Sequence, residues 1–257
     1  MKFARAIGRV AASVTLFCRV AVHPTGRLTR RIAADQQRIW AFPVKVAGGS
    51  AWQPALAVLG TTAALIALDP LDTPYFQQPA YQKRPVVFAM NRVLSAGNMA
   101  RLIWTVPLAF YIAGFLLRNP YVWRTGLLAL EAAADAEIIA ITMKHVDRRM
   151  RPIEVGAGGD FASTWFRTKT FKLDGAGCFP SGHTASAFSF ATVFAERYPK
   201  SSWTAYGIAG IIGASRVSTR AHFPSDVFFG AALGYSISQF VVMARVMTPD
   251  GHVTAGG

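Results

Sequence analysis

The sequence predicts an all-α protein, a polytopic bundle of about six transmembrane helices. Two properties of the composition lead to this prediction: 52% of the 257 residues are hydrophobic, and only 16% are charged. Soluble domains carry about 25% charged residues, so a water-soluble or disordered chain is disfavoured. The third observation is that apolar stretches close to the ~20 residues needed to cross a bilayer recur along the chain.

Six segments are predicted to span the membrane. Three of them are convincing on their own, and the other three are short or polar. The first is expected to end at Asp69-Pro70. Together they predict a transmembrane domain over residues 51–246, followed by a flexible tail at 247–257. The six segments are 46–68, 102–117, 122–143, 183–196, 202–214 and 227–244.

The first 50 residues form a separate basic segment, with nine basic residues and one acidic residue. Five apolar side chains recur there at helical spacing: Phe3, Ile7, Val10, Val14 and Phe17. This pattern predicts either a helix lying on an anionic membrane surface or a disordered basic tail. A nucleic-acid partner is disfavoured, because the chain carries no recognition motif and no aromatic stacking module.

Three short polar segments lie just outside predicted membrane helices, and each is rich in groups that bind anions. If the helices alternate in direction, all three segments fall on the same side of the membrane and could form one composite site. They are, in order, Lys144-x6-Arg151-Pro152, Pro180-Ser181-Gly182-His183 and Ser215-Arg216-x5-His222-x3-Asp226.

The cations and the helix start in these segments suit a phosphoryl group. Lys144, Arg151 and Arg216 carry positive charge, and guanidinium groups match phosphoryl oxygens with paired hydrogen bonds. Ser181 and Gly182 open a predicted helix, whose free amides and dipole favour an anion. The pattern therefore predicts a binding site for a tetrahedral oxyanion.

Two histidines can divide the work of phosphate transfer. One would attack phosphorus, while the other would protonate the leaving oxygen. Asp226 follows His222 by four residues, near enough to accept a hydrogen bond from one ring nitrogen and leave the other as the nucleophile.

In this order, the three segments resemble the signature motifs of the type 2 phosphatidic acid phosphatase and vanadium haloperoxidase superfamily, and all eleven specified positions match. The resemblance covers about residues 100–246, and the six-helix layout is similar to that of the membrane lipid phosphatase branch. It implies that His222 forms a phosphohistidine, that Asp226 orients it, and that His183 is the general acid. It also implies that no metal or other cofactor is needed, because fixed cations replace magnesium. The implied phosphate-binding residues are Lys144, Arg151, Ser181, Gly182 and Arg216.

The expected function is an integral membrane phosphatase that hydrolyses a lipid phosphate or diphosphate monoester. Its partners would be that lipid and the bilayer, and its site would lie on the extracytoplasmic face of the cell membrane. One alternative is a lipid phosphotransferase that uses the same histidine. Another is a non-catalytic anion-binding or transport protein, which would need only the cations and helix amides and has no use for His183, His222 and Asp226.

Three acidic residues inside the third segment are the least expected, namely Glu131, Asp135 and Glu137. Acidic groups at membrane depth are costly and usually face a cavity or a partner. We expect structural pairing, with Arg124 or with polar groups of neighbouring helices, rather than a role in substrate or proton handling.

The two cysteines, Cys18 and Cys178, lack the spacing of a disulfide framework or a metal site. Three predicted spans separate them, so they are expected on opposite sides of the bilayer. Cys178 precedes Pro180 by two residues, so a bulky thiol reagent is expected to reach it at the mouth of the site and slow turnover.

Overall fold

The computed structural model describes residues 28–49, 52–168 and 177–245, and no strand occurs among them. The chain forms two compact units that divide after Val44. The described part of the first unit contains helix α1, residues 28–40, and the beginning of α2, Phe42–Ala47. The predicted surface helix or tail over residues 3–17 and the predicted tail at 247–257 lie outside the described residues.

The second unit contains the remaining helices, and the all-α class predicted from the sequence is confirmed. A 3₁₀ turn, Pro199–Ser201, joins two of them. The helices are α3 Trp52–Gln77, α4 Pro79–Gln82, α5 Pro85–Val93, α6 Ala96–Leu116, α7 Pro120–Asp147, α8 Pro152–Val155, α9 Gly182–Arg197, α10 Ser202–Ser218 and α11 Pro224–Arg245.

Three of the described helices, α3, α6 and α11, are long and apolar enough to cross a membrane. Helices α9 and α10 have 16 and 17 residues, short of the ~20 that a perpendicular span requires. Helix α7 has 28 residues, but it carries five charged side chains between Arg124 and Lys144. The count of six spans therefore stays a prediction.

Helix α3 does not end at Asp69-Pro70, so that prediction was wrong. It continues through Pro70 and Pro74 to Gln77. A proline inside a helix removes one backbone hydrogen bond, which tertiary contacts can offset. Here Asp69 is fully buried, and the Gln77 side chain donates a hydrogen bond to the carbonyl of Pro152 (2.9 Å). The Gln77 contact holds the end of the helix that follows the prolines.

Helix α9 packs against α6, α7, α10 and α11. Its contact with α11 depends on glycine, because a Cβ at Gly234 would overlap the carbonyl oxygen of Ala185. A Cβ at Gly230 would lie 2.6 Å from the carbonyl oxygen of Ser181. The two backbones can approach this closely only where no side chain intervenes. This approach brings the beginnings of α9 and α11, with the second and third motifs, together.

Candidate active site

The three motif segments meet at one end of the second unit, through main-chain hydrogen bonds. The amide of Ser181 donates to the carbonyl of Asp226 (3.0 Å), joining the second motif to the third. The amide of Ile153 donates to the carbonyl of Arg220 (2.9 Å), joining the stretch after the first motif to the third. The structure therefore brings together the segments that the sequence predicted to form a composite site.

His222 and Asp226 lie side by side in the interior. His222 is 3% exposed and Asp226 is fully buried. The Nδ1 atom of His222 lies 3.4 Å from Oδ2 of Asp226, beyond the usual hydrogen-bond distance, and it makes no hydrogen bond to any residue that the structure describes. The amide of Phe223 donates to the same Oδ2 (2.9 Å), which fixes the carboxylate. With Nδ1 facing Asp226, Nε2 lies on the other side of the ring.

Burial sets the protonation state of His222. It lowers the pKa of the imidazole, while Asp226 opposes this by favouring the charged ring. The cations Arg151 and Lys144 lower the pKa further, and the net result is a pKa of about 4. The ring is therefore neutral at neutral pH, and only a neutral imidazole has a lone pair for nucleophilic attack.

Gly182 allows charged groups of α7 to approach the start of α9. A Cβ at this position would lie 3.1 Å from Nζ of Lys144 and 2.9 Å from both carboxylate oxygens of Glu137. Glu137 also accepts a hydrogen bond from the Ser186 hydroxyl (3.2 Å). Glu137 thus reaches the site, which the sequence analysis did not predict. The signal was available, because Glu137 precedes Lys144 by seven residues and so shares its helix face.

Ser181 is fully buried, and its hydroxyl lies in hydrogen-bond contact with the Thr184 hydroxyl (2.8 Å). This contact spans the first turn of α9. The role of Ser181 in phosphate binding stays a prediction.

Arg216 and His183 both contact the turn between α5 and α6. The guanidinium of Arg216 donates to the carbonyl of Leu94 and, through Nε, to the Ser215 hydroxyl (3.1 Å). The Nε2 atom of His183 lies 3.2 Å from the carbonyl oxygen of Ala96. No side-chain pattern in the sequence could have indicated Leu94 and Ala96 as partners, because their main-chain carbonyls make these contacts.

His183 also lies near the other charged groups of the site. The charges of Arg216, His222 and Lys144 all act on its imidazole, so the second motif is within electrostatic reach of the first and the third.

Arg149 is a buried residue at the site to which the sequence analysis assigned no role. It lies between the two specified positions of the first motif, Lys144 and Arg151, and is only 1% exposed, whereas its neighbour Arg148 is exposed. Its Nη1 donates to Oδ1 of Asp226 (2.7 Å). Burial alone would lower the pKa of Arg149, but the nearby carboxylates hold it above its usual value.

Cys178 is completely buried, so the expectation that thiol reagents reach it was wrong. Its thiol donates to the carbonyl of Met150 (3.2 Å), and burial raises the pKa of Cys178 well above its usual value. Cys18 lies outside the described residues.

The Cys178 sulfur also lies close to the two third-motif side chains. One donor atom each from Cys178, His222 and Asp226 lies within 4.8 Å of the others, a proximity hidden by the 43 residues between the cysteine and the histidine. A metal ligand must be deprotonated and available, but here the thiol keeps its proton and the carboxylate is bound to Arg149. These three residues are therefore a poor site for a cation. Independence from metal stays a prediction.

One of the acidic residues of α7 pairs with α11. Glu131 is fully buried, and its Oε1 lies 3.0 Å from Nη2 of Arg245. Arg124, the partner considered from the sequence, instead lies over the ring of Trp123, with its guanidinium carbon 5.4 Å from the ring centre. The contact of Glu131 links α7 to the last turn of α11, away from the motifs.

Comparison with known proteins identifies the family. The profile of the PAP2 superfamily matches residues 125–248. The lipid A 1-phosphatase of Rhizobium etli is 30% identical over 220 residues, which cover 78% of this chain and 90% of that protein. The chain belongs to the PAP2 superfamily.

A second relative in the superfamily is the lipid A 1-phosphatase of Rhizobium johnstonii, 28% identical over 217 residues, with 78% of this chain and 86% of that protein covered. A crystal structure of a transmembrane PAP2-type phosphatidylglycerolphosphate phosphatase from Bacillus subtilis is similar with a TM-score of 0.42 and 21% identity. The match covers 80% of this chain and 94% of that one. With its apolar helices, this PAP2 chain is an integral membrane protein.

Proposed function

We propose that this protein hydrolyses the phosphate monoester of a lipid through a phosphohistidine formed on His222. That the enzyme is a lipid phosphatase rests on its family and relatives. The observation that carries the mechanism is the buried imidazole of His222, 3.4 Å from Asp226. Burial and the cations Arg151 and Lys144 lower its pKa, which favours the neutral ring. An anion-binding protein would need the cations but would gain nothing from an oriented neutral imidazole.

In the first step, Nε2 of His222 attacks phosphorus and the bond from phosphorus to the leaving oxygen breaks. His183 supplies the proton that this oxygen takes up. In the second step, water attacks phosphorus while His183 takes a proton from it, and the phosphorus–nitrogen bond breaks. Asp226 stabilises the positive charge that the His222 ring carries between the two steps.

The remaining motif residues would hold the phosphoryl oxygens. Lys144, Arg151 and Arg216 would neutralise the charge that spreads over these oxygens in the transition state, and the amides at Gly182 would add neutral donors. Because these cations are part of the chain, the proposed reaction runs without a divalent metal.

The proposed substrate is the 1-phosphate of lipid A. The two rhizobial relatives are named lipid A 1-phosphatases, and the chain spans 86% and 90% of their lengths. Comparing lipid A with lipids whose phosphate is attached to glycerol, such as phosphatidic acid, decides between these two substrate classes.

The experiment measures phosphate release by the purified protein in detergent, with lipid A, phosphatidic acid and phosphatidylglycerol phosphate as parallel substrates. We expect release from lipid A, a product lighter by one phosphate in mass spectrometry, and no release by His222→Ala. Preference for a glycerol phosphate would overturn the substrate class. Transfer of the phosphate to added glycerol, without free phosphate, would instead support the phosphotransferase.

We further propose that the site faces away from the cytoplasm. In a variant without native cysteines, Ala162→Cys and Lys200→Cys each place one thiol at an exposed position on either side of α9. A membrane-impermeant maleimide applied to intact cells should label the cysteine at position 162 and not the one at 200. The reverse pattern would place the site on the cytoplasmic face.

A further inference from the structure

Arg149 lies between two carboxylates that belong to different helices. Its Nη1 donates to Oδ1 of Asp226 in α11 (2.7 Å), and its Nη2 lies 2.6 Å from Oδ2 of Asp69 in α3. All three side chains are at most 1% exposed. We propose that Arg149 and Asp69 are positioning residues, which hold the Asp226 carboxylate in the orientation that presents its other oxygen to His222. This inference rests on the proposed function.

Among the described residues, hydrogen-bond partners and two aromatic rings surround the Arg149 guanidinium. Its Nε donates to the Thr164 hydroxyl (3.2 Å), and Nη1 also donates to the Ser225 hydroxyl (2.8 Å). Its carbon lies 3.8 Å from the ring centre of Phe223 and 4.5 Å from that of Trp165. A planar group with this many partners has one available orientation, so the oxygen bound to Nη1 is fixed as well.

Asp69 completes the arrangement from the opposite side. It binds Nη2 of Arg149 and accepts a hydrogen bond from the amide of Ser225 (3.3 Å), the residue next to Asp226. A buried arginine that loses one of its partners is left with an uncompensated charge or moves to find another. Loss of Asp69 would therefore displace Arg149, and with it Oδ1 of Asp226.

The distance from Asp226 to His222 explains why such a displacement affects the reaction. Oδ2 of Asp226 lies 3.4 Å from Nδ1 of His222, so a small rotation of the carboxylate breaks the contact. Among the described contacts of the Arg149 guanidinium, none is to the proposed phosphate-binding side chains Lys144, Arg151 and Arg216. The proposal therefore predicts a loss in kcat with little change in KM or in the affinity for inorganic phosphate.

The experiment compares Arg149→Lys and Asp69→Asn with a matched control. Arg197→Lys changes an arginine that is also buried, binds the Thr125 hydroxyl (3.2 Å) and lies over the ring of Tyr121, at the other end of α9. We expect kcat to fall about 10- to 100-fold in the first two variants, by analogy with the range seen when a partner that orients a metal ligand is lost. Arg197→Lys should keep the kcat of the unchanged protein, while losing thermal stability to a similar extent as the other two variants.

A double-mutant cycle separates positioning from general structural support. If Arg149 acts through Asp226, adding Arg149→Lys to Asp226→Asn should lower kcat by less than threefold (about 0.65 kcal/mol) beyond the single variant. If the fold-losses in kcat of the two single variants multiply in full in the double variant, the two residues act independently and the proposal is overturned. An equal fall in kcat for Arg197→Lys would also overturn it.

Titration with inorganic phosphate reports an intact phosphate site in each variant. If Arg149→Lys is misfolded it binds no phosphate, and Asp69→Asn then decides alone. An unchanged kcat in a phosphate-binding Asp69→Asn variant would exclude Asp69 from the positioning role. Failure of the proposed function is distinct, because the unchanged protein would then hydrolyse no lipid phosphate.

Discussion

Lowering the pH tests the state of His222 directly. Attack requires the neutral ring, so kcat/KM falls when the ring of the free enzyme becomes protonated. Because burial brings the pKa of His222 to about 4, the neutral form persists to lower pH than for an ordinary histidine. At pH 5.5 a ring with this pKa is roughly 97% neutral, whereas a ring with a pKa of ~6.5 is roughly 9% neutral. The expected difference in kcat/KM at pH 5.5 is therefore about tenfold.

The assay follows initial rates of purified protein in detergent between pH 4 and 8. An aryl phosphate is the appropriate substrate, because its second ionisation lies below that of an alkyl phosphate and disturbs the acid side less. Enzyme held at each pH and returned to pH 7.5 must regain full activity, which controls for unfolding.

We expect the acid limb attributable to His222 to lie below pH 5. As a second measurement, ¹⁵N spectra of histidine-labelled protein, with the His222 signal assigned by its absence in His222→Ala, report the ring's titration without catalysis. A His222 midpoint near pH 6.5 in these spectra would refute the reasoning, since a fully solvated ring titrates there.

Four further outcomes are expected. His222→Ala should lower kcat by at least about 10³-fold with the affinity for inorganic phosphate retained, measured by direct phosphate binding; activity near that of the unchanged protein would exclude the nucleophile. Turnover should survive EDTA yet fall with orthovanadate, and Lys144→Ala should weaken both catalysis and vanadate binding; loss in EDTA that magnesium restores would indicate a metal-dependent reaction. Gly234→Ala should destabilise the protein by about 1–3 kcal/mol or more, because its Cβ would meet the Ala185 carbonyl, and a thermal melt that does not move would contradict the close approach. Cys178 should react with maleimide only after denaturation, which mass spectrometry of intact and denatured protein can check.

The motif residues were predictable from the sequence because their spacing ties chemistry to helix ends. Lys144 lies at the end of α7, Gly182 begins α9, and Asp226 lies in the first turn of α11. The hydrophobic length of α3, α6 and α11 likewise predicted the membrane helices. These features are local, so a linear pattern can carry them.

The features that the sequence did not predict depend on contacts between residues that are far apart in the chain. Asp69 and Arg149 are 80 residues apart, and Asp69 immediately precedes a proline that was taken for the helix end. Cys178 was expected at an exposed position because it precedes a motif, yet the fold places it beside Met150. Burial of a single polar residue is decided by the packing around it, which periodicity does not report.

The contacts of helices α3 to α6 with the motifs determine which part of the chain a minimal active enzyme must contain. The superfamily profile begins at residue 125, and a chain excised there would keep all eleven motif positions. It would lose the Asp69 carboxylate that neutralises Arg149, the Gln77 amide on Pro152, and the turn whose Leu94 and Ala96 carbonyls bind Arg216 and His183. A transplant of this active site into another scaffold must therefore carry α3 to α6 with it.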